Sequence, residues 1–128
     1  MIIGIGVDVV EISRVRSMIA SQGERALARL FTPAERSYCA DMANPARHFA
    51  VRVAAKEATF KALSGSDEAR GIGWREMEVE LDAIGRPSIR LHGRASARAR
   101  ELGVAHTWIS LSHGDDLATA FVVLESVP

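Results

Sequence analysis

The pattern of apolar and polar residues predicts strands and helices in the order strand, helices, hairpin, helix, hairpin. Alternating and β-branched segments predict strands at residues 2–10, 76–82, 88–92, 107–113 and 117–125. Helical spacing predicts helices at residues 11–21, 24–30, 33–42, 45–63 and 93–102. The two late strand pairs are separated by short turns, so both are expected to be antiparallel hairpins. This order is typical of an α+β fold with an antiparallel-dominated sheet.

The predicted helix over residues 45–63 is the longest element of the chain. Asn44 is a candidate cap, Pro45 suits the first turn, and Ser64-Gly65 is expected to end the helix. Helical spacing places an apolar stripe on one side, formed by Phe49, Val53, Phe60 and Leu63. Glu57 and Lys61 are four residues apart and share another face, beside small alanines. These charges either line a cleft or form an exposed pair, and the helix alone favours the exposed pair.

The first predicted strand has two different faces. Alternation places Ile3, Ile5, Val7 and Val9 on one face, which we expect to be buried. The other face carries Gly4, Gly6 and Asp8, and the missing side chains are expected to leave open space beside the Asp8 carboxylate. That position suits a metal or a phosphate. The alternative is that Asp8 caps the following helix.

Composition narrows the class of protein. The chain has 128 residues, enough for one domain, and 48% of them are apolar, which excludes a disordered chain. Sixteen basic and sixteen acidic residues balance, so there is no nucleic-acid signature. Cys39 is a single cysteine, and no apolar run approaches the length of a membrane span. With no charged leader before the first strand, we expect a cytoplasmic protein without membrane partners.

Several polar residues lie near predicted element ends. Ser112 and His113 end a strand beside a turn, where side chains can reach a ligand, although a histidine beside a turn is often only structural. His48, His92 and His106 show no shared metal spacing and are interpreted as structural. Thr32 and Glu35 match a capping box and are also interpreted as structural. Residues 64–73 predict a long loop, which is often functional or mobile.

Three segments together resemble one family. They are Gly4-Ile-Gly-Val-Asp8-Val-Val-Glu11-Ile-Ser-Arg14, then Arg52-Val-Ala-Ala-Lys56-Glu57-Ala-Thr-Phe-Lys61-Ala-Leu, and Ile109-Ser-Leu-Ser112-His113. The sequence looks like a holo-acyl-carrier-protein synthase, the small stand-alone type of 4'-phosphopantetheinyl transferase. The resemblance covers essentially the whole chain and implies that residues 1–128 form a single transferase domain with that family's fold.

The resemblance implies an activity and a metal. Such enzymes transfer the 4'-phosphopantetheine arm of coenzyme A to a serine of apo acyl carrier protein, release adenosine 3',5'-bisphosphate and support fatty acid biosynthesis. It implies that Asp8 and Glu57 hold Mg²⁺, with Mn²⁺ as the alternative, and that Lys61 steadies the phosphates. These three residues are the expected catalytic group, and the identity of the general base stays open. The alternatives are transfer to a polyketide-type or other specialised carrier, or a non-catalytic module that binds coenzyme A or a carrier.

The resemblance also implies binding residues and an assembly. Ser112 and His113 match the pair that binds the nucleotide end of coenzyme A. The other expected coenzyme A contacts are Arg52, Lys56, Lys61, Ser64 and Gly65. Arg14 matches a carrier-binding residue, and Arg25 is expected to assist it. The family implies a homotrimer in which Asp8, Glu57 and Lys61 meet Ser112-His113 of a neighbour. This chain departs from the family at Val53, where a larger residue is common, and at Ser64-Gly65-Ser66, where a Gly-x-Gly turn is common.

Overall fold

The computed structural model describes residues 1–128, apart from the side chain of Glu68. The five strands are β1 (Ile2–Glu11), β2 (Met77–Leu81), β3 (Pro87–Leu91), β4 (Val104–His113) and β5 (Leu117–Ser126). The five α-helices are α1 (Ile12–Gln22), α2 (Glu24–Leu30), α3 (Pro33–Ala40), α4 (Pro45–Leu63) and α5 (Gly93–Leu102). The predicted α+β class is confirmed, and all five predicted helices and five strands are present.

The strands form two antiparallel sheets. β1, β5 and β4 make a three-stranded sheet with β5 in the centre, and β2 pairs with β3. The register aligns Asp8 with Ala120 of β5, and Ala120 in turn with Leu111 of β4. The C-terminal ends of β1 and of β4, which carries Ser112 and His113, therefore lie at the same end of the sheet, on either side of β5.

Helix α4 packs across one face of the three-stranded sheet. Its alanines Ala54, Ala55, Ala58 and Ala62 are buried with Ala120, Val122 and Leu124 of β5. The glycines of β1 allow this close approach, since a Cβ at Gly6 would overlap the carbonyl oxygen of Ala58 and one at Gly4 would overlap that of Ala62. The expectation of open space beside Asp8 is therefore wrong. The glycines bring the strand against the helix backbone.

The opposite face of β1 is exposed in the single chain. Ile5, Val7 and Val9 are 60%, 43% and 56% exposed, so the expectation that this face is buried is wrong for one copy of the chain. Trp108 of β4 and Phe121 of β5 are also more than half exposed. Alternation along paired strands puts these side chains on the side away from α4.

Three local predictions need correction. Residues 64–73 are not a plain loop, because Asp67–Gly71 forms a short 3-10 helix. A second 3-10 helix, Trp74–Glu76, lies between this segment and β2. Asn44 precedes α4 but makes no capping hydrogen bond, and its side chain accepts one from Arg16 instead. Phe60 is 36% exposed and does not join the buried stripe.

The capping box of α3 forms as predicted. The Thr32 side chain accepts a hydrogen bond from the Glu35 backbone N–H, and the Glu35 side chain accepts one from the Thr32 backbone. Within the described residues, no helix is long and apolar enough to cross a bilayer.

Candidate active site

The structure brings together the three residues expected to form the catalytic group. Asp8 lies on the face of β1 that packs on α4, and Glu57 and Lys61 lie on successive turns of α4. The Lys61 ammonium donates to Asp8 Oδ1 and to the Val7 carbonyl oxygen, both at 3.0 Å. Lys61 therefore pairs with the strand across the site. The alternative that Glu57 and Lys61 form an exposed ion pair with each other is wrong, because Lys61 pairs with Asp8.

Glu57 and Asp8 form a close pair of carboxyl groups. Partial burial, the Asp8 charge and a hydrogen bond with Asp8 together raise the pKa of Glu57, while Lys61 and Arg14 oppose that rise. The dominant cause is loss of water around the carboxyl group. Asp8 makes no cap for the following helix, since the N-terminal N–H of α1, on Ile12, donates to the Asp116 carbonyl oxygen. The capping alternative for Asp8 is thus excluded.

A hard divalent cation fits between these two carboxyl groups. Burial and the Asp8 charge raise the pKa of Glu57, so a cation bound between the two carboxyl groups would stabilise the ionised form of Glu57. Mg²⁺ commonly takes one or two carboxylates, with its other oxygens from substrate phosphates and water. Among the described residues, no group of three or more His, Cys, Asp or Glu side chains is placed to hold a metal. A metal at Asp8 and Glu57 would therefore depend on the substrate to complete its shell.

A mostly apolar cleft of about 380 Å³ opens beside the carboxylate pair. Glu57 and Lys61 form its charged end, and Arg70 lies at its rim. Its remaining walls come from α4, through Lys56 and Phe60, and from residues 72–77, through Ile72, Trp74 and Met77. Apolar walls with a few charged groups at one end are typical of a site for a small organic ligand. Residues 70–77 were expected only as loop and strand, and sequence spacing carried no sign of this cleft.

The expectation that Lys56 contacts a phosphate is contradicted. Its side chain is fully buried, and its ammonium donates to Glu35 Oε1 at 2.8 Å, to the Trp74 carbonyl at 3.0 Å and to the Met77 carbonyl at 2.7 Å. An ammonium has three hydrogens, so none remains for a ligand. The capping glutamate Glu35 is thus also the partner of a buried lysine.

A second polar cluster lies at the N-terminal end of α4. The rings of His48 and His113 are 5.6 Å apart, and the Arg52 guanidinium lies 4.6 Å from the centre of the Tyr38 ring, which contacts His48. Partial burial lowers the pKa of His48, and His113, Arg52 and Arg47 lower it further. Several cationic groups around a histidine held neutral form a surface suited to an anion. The interpretation of His48 as purely structural missed this, because its partner is 65 positions away.

The other expected contacts occupy different positions. Ser64 ends α4, and its hydroxyl donates to the Lys61 carbonyl oxygen at 2.7 Å. Gly65 follows with a φ of 112°, a backbone conformation that favours glycine. Ser112 is exposed at the end of β4. Arg14 and Arg25 are exposed on α1 and α2, and the Arg14 charge acts on Glu57.

Comparison with known proteins identifies the family. The model of the 4'-phosphopantetheinyl transferase superfamily matches residues 4–122. The holo-[acyl-carrier-protein] synthase of Geobacter sulfurreducens is 43% identical over 125 residues, which covers 98% of each chain. The crystal structure of the holo-[acyl-carrier-protein] synthase of Neisseria meningitidis superimposes with a TM-score of 0.86 at 30% identity, over 98% of this chain and 100% of that one. The Bacillus anthracis synthase, solved in complex with CoA (3',5'-ADP), superimposes with a TM-score of 0.80 at 29% identity, over 99% of each chain.

Sequence and fold therefore place this chain in the 4'-phosphopantetheinyl transferase superfamily, among its holo-[acyl-carrier-protein] synthases. The chain is accordingly an enzyme of the transferase class, as the sequence resemblance implied. The predicted fold agrees with that of the solved synthases.

Proposed function

We propose that this protein transfers the 4'-phosphopantetheine arm of coenzyme A to a serine of apo acyl carrier protein and releases adenosine 3',5'-bisphosphate. The observation that carries the proposal is the pair of carboxyl groups Asp8 and Glu57, with Lys61 beside it and an apolar cleft adjoining. A pyrophosphate needs cationic neutralisation, and the arm attached to it needs a mostly apolar path. Two relatives named holo-[acyl-carrier-protein] synthase, which are 43% and 42% identical to this chain, support the same reaction.

The chemical step exchanges one bond to phosphorus for another. The serine oxygen of the carrier forms a bond to the phosphorus that bears the pantetheine arm, and the bond from this phosphorus to the bridging oxygen breaks. Adenosine 3',5'-bisphosphate leaves with the electron pair. The Lys61 ammonium, held by Asp8 and the Val7 carbonyl, lies where it can offset the charge on the leaving phosphate.

Glu57 is a suitable acceptor for the serine proton, directly or through one water. Without a bound metal, burial and the Asp8 charge raise its pKa, which makes its carboxylate a stronger base than an ordinary glutamate. Asp8 and Glu57 would hold Mg²⁺, or Mn²⁺ in its place. When bound, that ion supplies Lewis-acid polarisation of the pyrophosphate oxygens.

The two ends of the substrate site recognise different groups. We assign Arg52, Ser112 and His113 to the nucleotide end of coenzyme A, supported by the cluster that joins His113, His48, Tyr38 and Arg52. Ser64 and Gly65 lie three and four residues after Lys61, at the end of α4, and suit the phosphate end. Arg14 presents positive charge near Glu57, and Arg25 is exposed on α2, which suits contact with an acidic carrier. The proposed biological role is priming the carrier of fatty acid biosynthesis in the cytoplasm.

We further propose a homotrimer built on the exposed face of the β1–β5–β4 sheet. Ile5, Val9, Trp108 and Phe121 are each more than half exposed there, and such an apolar face is typical of a subunit interface. Ser112 pairs with Thr119, and Thr119 with Val9, so Ser112 lies on this same face. A neighbouring copy packed on this face would contact Ser112, as a site shared between two subunits requires.

The transfer reaction is tested with apo carrier, coenzyme A and Mg²⁺, followed by mass spectrometry of the carrier. We expect the carrier to gain the mass of one phosphopantetheine group. The Glu57→Gln variant should lose at least about 1,000-fold in rate, since it removes both a metal ligand and the expected base. An unchanged carrier mass with wild-type protein, in a mixture where an established transferase works, would reject the proposed function. Near-normal turnover by Glu57→Gln would reject the assigned role of Glu57.

The assembly is tested by light scattering after size-exclusion chromatography. The wild-type protein should have three times the mass of one 13.9 kDa chain. Phe121→Lys should shift the protein toward the monomer because it places a charge on the apolar face. Exposed Arg29→Lys on α2 is the matched control and should leave the mass unchanged. A monomeric wild-type protein at micromolar concentration would contradict the trimer.

A further inference from the structure

The buried ammonium of Lys56 joins three separate parts of the chain to α4. Its three contacts reach α3 through Glu35, the second 3-10 helix through the Trp74 carbonyl, and the start of β2 through the Met77 carbonyl. Glu35 continues the connection, since its Oε2 accepts from the Val79 backbone N–H at 3.0 Å. One lysine thereby fixes the position of residues 74–79 relative to α4.

Net stability alone does not account for this arrangement. A lysine and a glutamate that are both fully buried pay a large desolvation cost, and apolar residues of similar size often replace such a pair without loss. Such a pair does impose directional contacts that apolar packing lacks. Here the contacts go to two backbone carbonyls, which lock the path of the chain.

The two carbonyls belong to residues whose side chains form the cleft. Trp74 and Met77 line its wall, while Glu57, the residue after Lys56, lies at its charged end. Moving residues 74–77 would change the width of the cleft and leave Asp8 and Lys61 in place.

We propose that Lys56 is a positioning residue that sets the wall of the cleft for the pantetheine arm of coenzyme A. This proposal rests on the proposed function, because it takes coenzyme A as the ligand. Lys56 acts through Trp74 and Met77 and touches neither the phosphates nor the reacting serine. Its removal should therefore weaken binding of the arm and spare binding of the nucleotide.

The experiment compares two ligands by calorimetry, in the presence of Mg²⁺. Coenzyme A carries the arm, and adenosine 3',5'-bisphosphate lacks it. Lys56→Met should weaken coenzyme A binding by at least about tenfold and change bisphosphate binding by less than about twofold. In the transfer assay its KM for coenzyme A should rise by a larger factor than kcat falls.

Two further variants keep the test decisive. Lys56→Met with Glu35→Gln removes the unpaired charge, so it provides a folded protein if the single variant does not fold, and it should show the same ligand discrimination. Val15→Ala truncates a buried residue of α1, a helix that packs on α2, α4 and β1, and controls for general destabilisation. It should leave the ratio of the two affinities unchanged.

Equal loss of both ligands in a folded Lys56 variant would overturn the proposal, and so would unchanged binding of coenzyme A. A wild-type protein that binds coenzyme A but transfers nothing to the carrier would instead reject the proposed function. The two failures are therefore distinguishable.

Discussion

Helix α4 carries two lysines that each bind a carboxylate at nearly the same distance, in opposite environments. Lys56 and Glu35 are 2.8 Å apart with neither side chain exposed, whereas Lys61 and Asp8 are 3.0 Å apart with 53% of the Lys61 side chain exposed. Lys56 has all its hydrogens engaged within the protein. Lys61 has two protein acceptors and an open side toward the cleft. A lysine can bind a ligand only if its ammonium group is accessible to solvent and keeps a hydrogen that no protein acceptor uses. Lys61 meets both conditions, and Lys56 meets neither.

The largest expected difference between the two pairs is in stability. Lys56→Met leaves the Glu35 carboxylate buried without its cation and should lower the free energy of unfolding by about 3–5 kcal/mol. Urea denaturation followed by circular dichroism measures the change. Adding Glu35→Gln should restore part of the loss, because no unpaired charge then remains. A loss below about 1 kcal/mol for Lys56→Met would mean that the two pairs are energetically alike.

The second lysine should show the reverse behaviour. Lys61→Met should lower the free energy of unfolding by less than about 1 kcal/mol, because the pair is partly exposed. It should lower kcat by about 100-fold or more, because it removes a cation from the leaving phosphate. Denaturation and steady-state transfer assays on the same preparation test both statements. Near wild-type turnover would contradict the role given to Lys61.

The smallest expected effect concerns Glu57 in metal-free protein. Burial and Asp8 raise its pKa in the folded state, so ionising it costs stability as the pH rises from the unfolded-state pKa through the folded-state value. Glu57→Gln should therefore be more stable than wild type at pH 7 in chelator. The difference should vanish as the pH falls below about 4. Thermal unfolding across this pH range gives the measurement.

The same pair of proteins tests the metal site. Added Mg²⁺ should raise the melting temperature of wild type and leave Glu57→Gln nearly unchanged, because ligand binding stabilises only the state that binds it. A Glu57→Gln variant that is less stable than wild type at pH 7 in chelator would contradict the raised pKa of Glu57. An equal Mg²⁺ response in both proteins would contradict the ligand assignment.

Local sequence patterns predicted the elements well, since strand alternation, the Thr32 capping box and the glycine after α5 act over a few residues. They did not predict which face of β1 is buried. An alternating strand places its apolar side inward when side chains decide the packing, but here Gly4 and Gly6 let the α4 backbone cover the other side. That choice depends on an element more than 50 residues away.

The sequence likewise predicted only part of the candidate active site. Asp8, Glu57 and Lys61 were expected together through family resemblance, and the fold does bring them together. The role of Lys56 was not predictable, because helical spacing gives no account of Glu35 or of the two carbonyls that it binds. The contact of His48 with His113 likewise exists only after the sheet and α4 pack.

The contact of Gly4 and Gly6 with the α4 backbone has a consequence for how the enzyme can vary. Because backbone meets backbone there, the backbone spacing between β1 at Asp8 and α4 at Glu57 does not depend on the packing of larger side chains between them. Two glycines of β1 and a row of alanines on α4 thus fix the distance between the two elements that carry the reacting centre. Substitution of Arg14 and Arg25, the proposed carrier contacts, would leave this backbone contact unchanged, so the carrier-binding surface and the reacting centre can evolve separately.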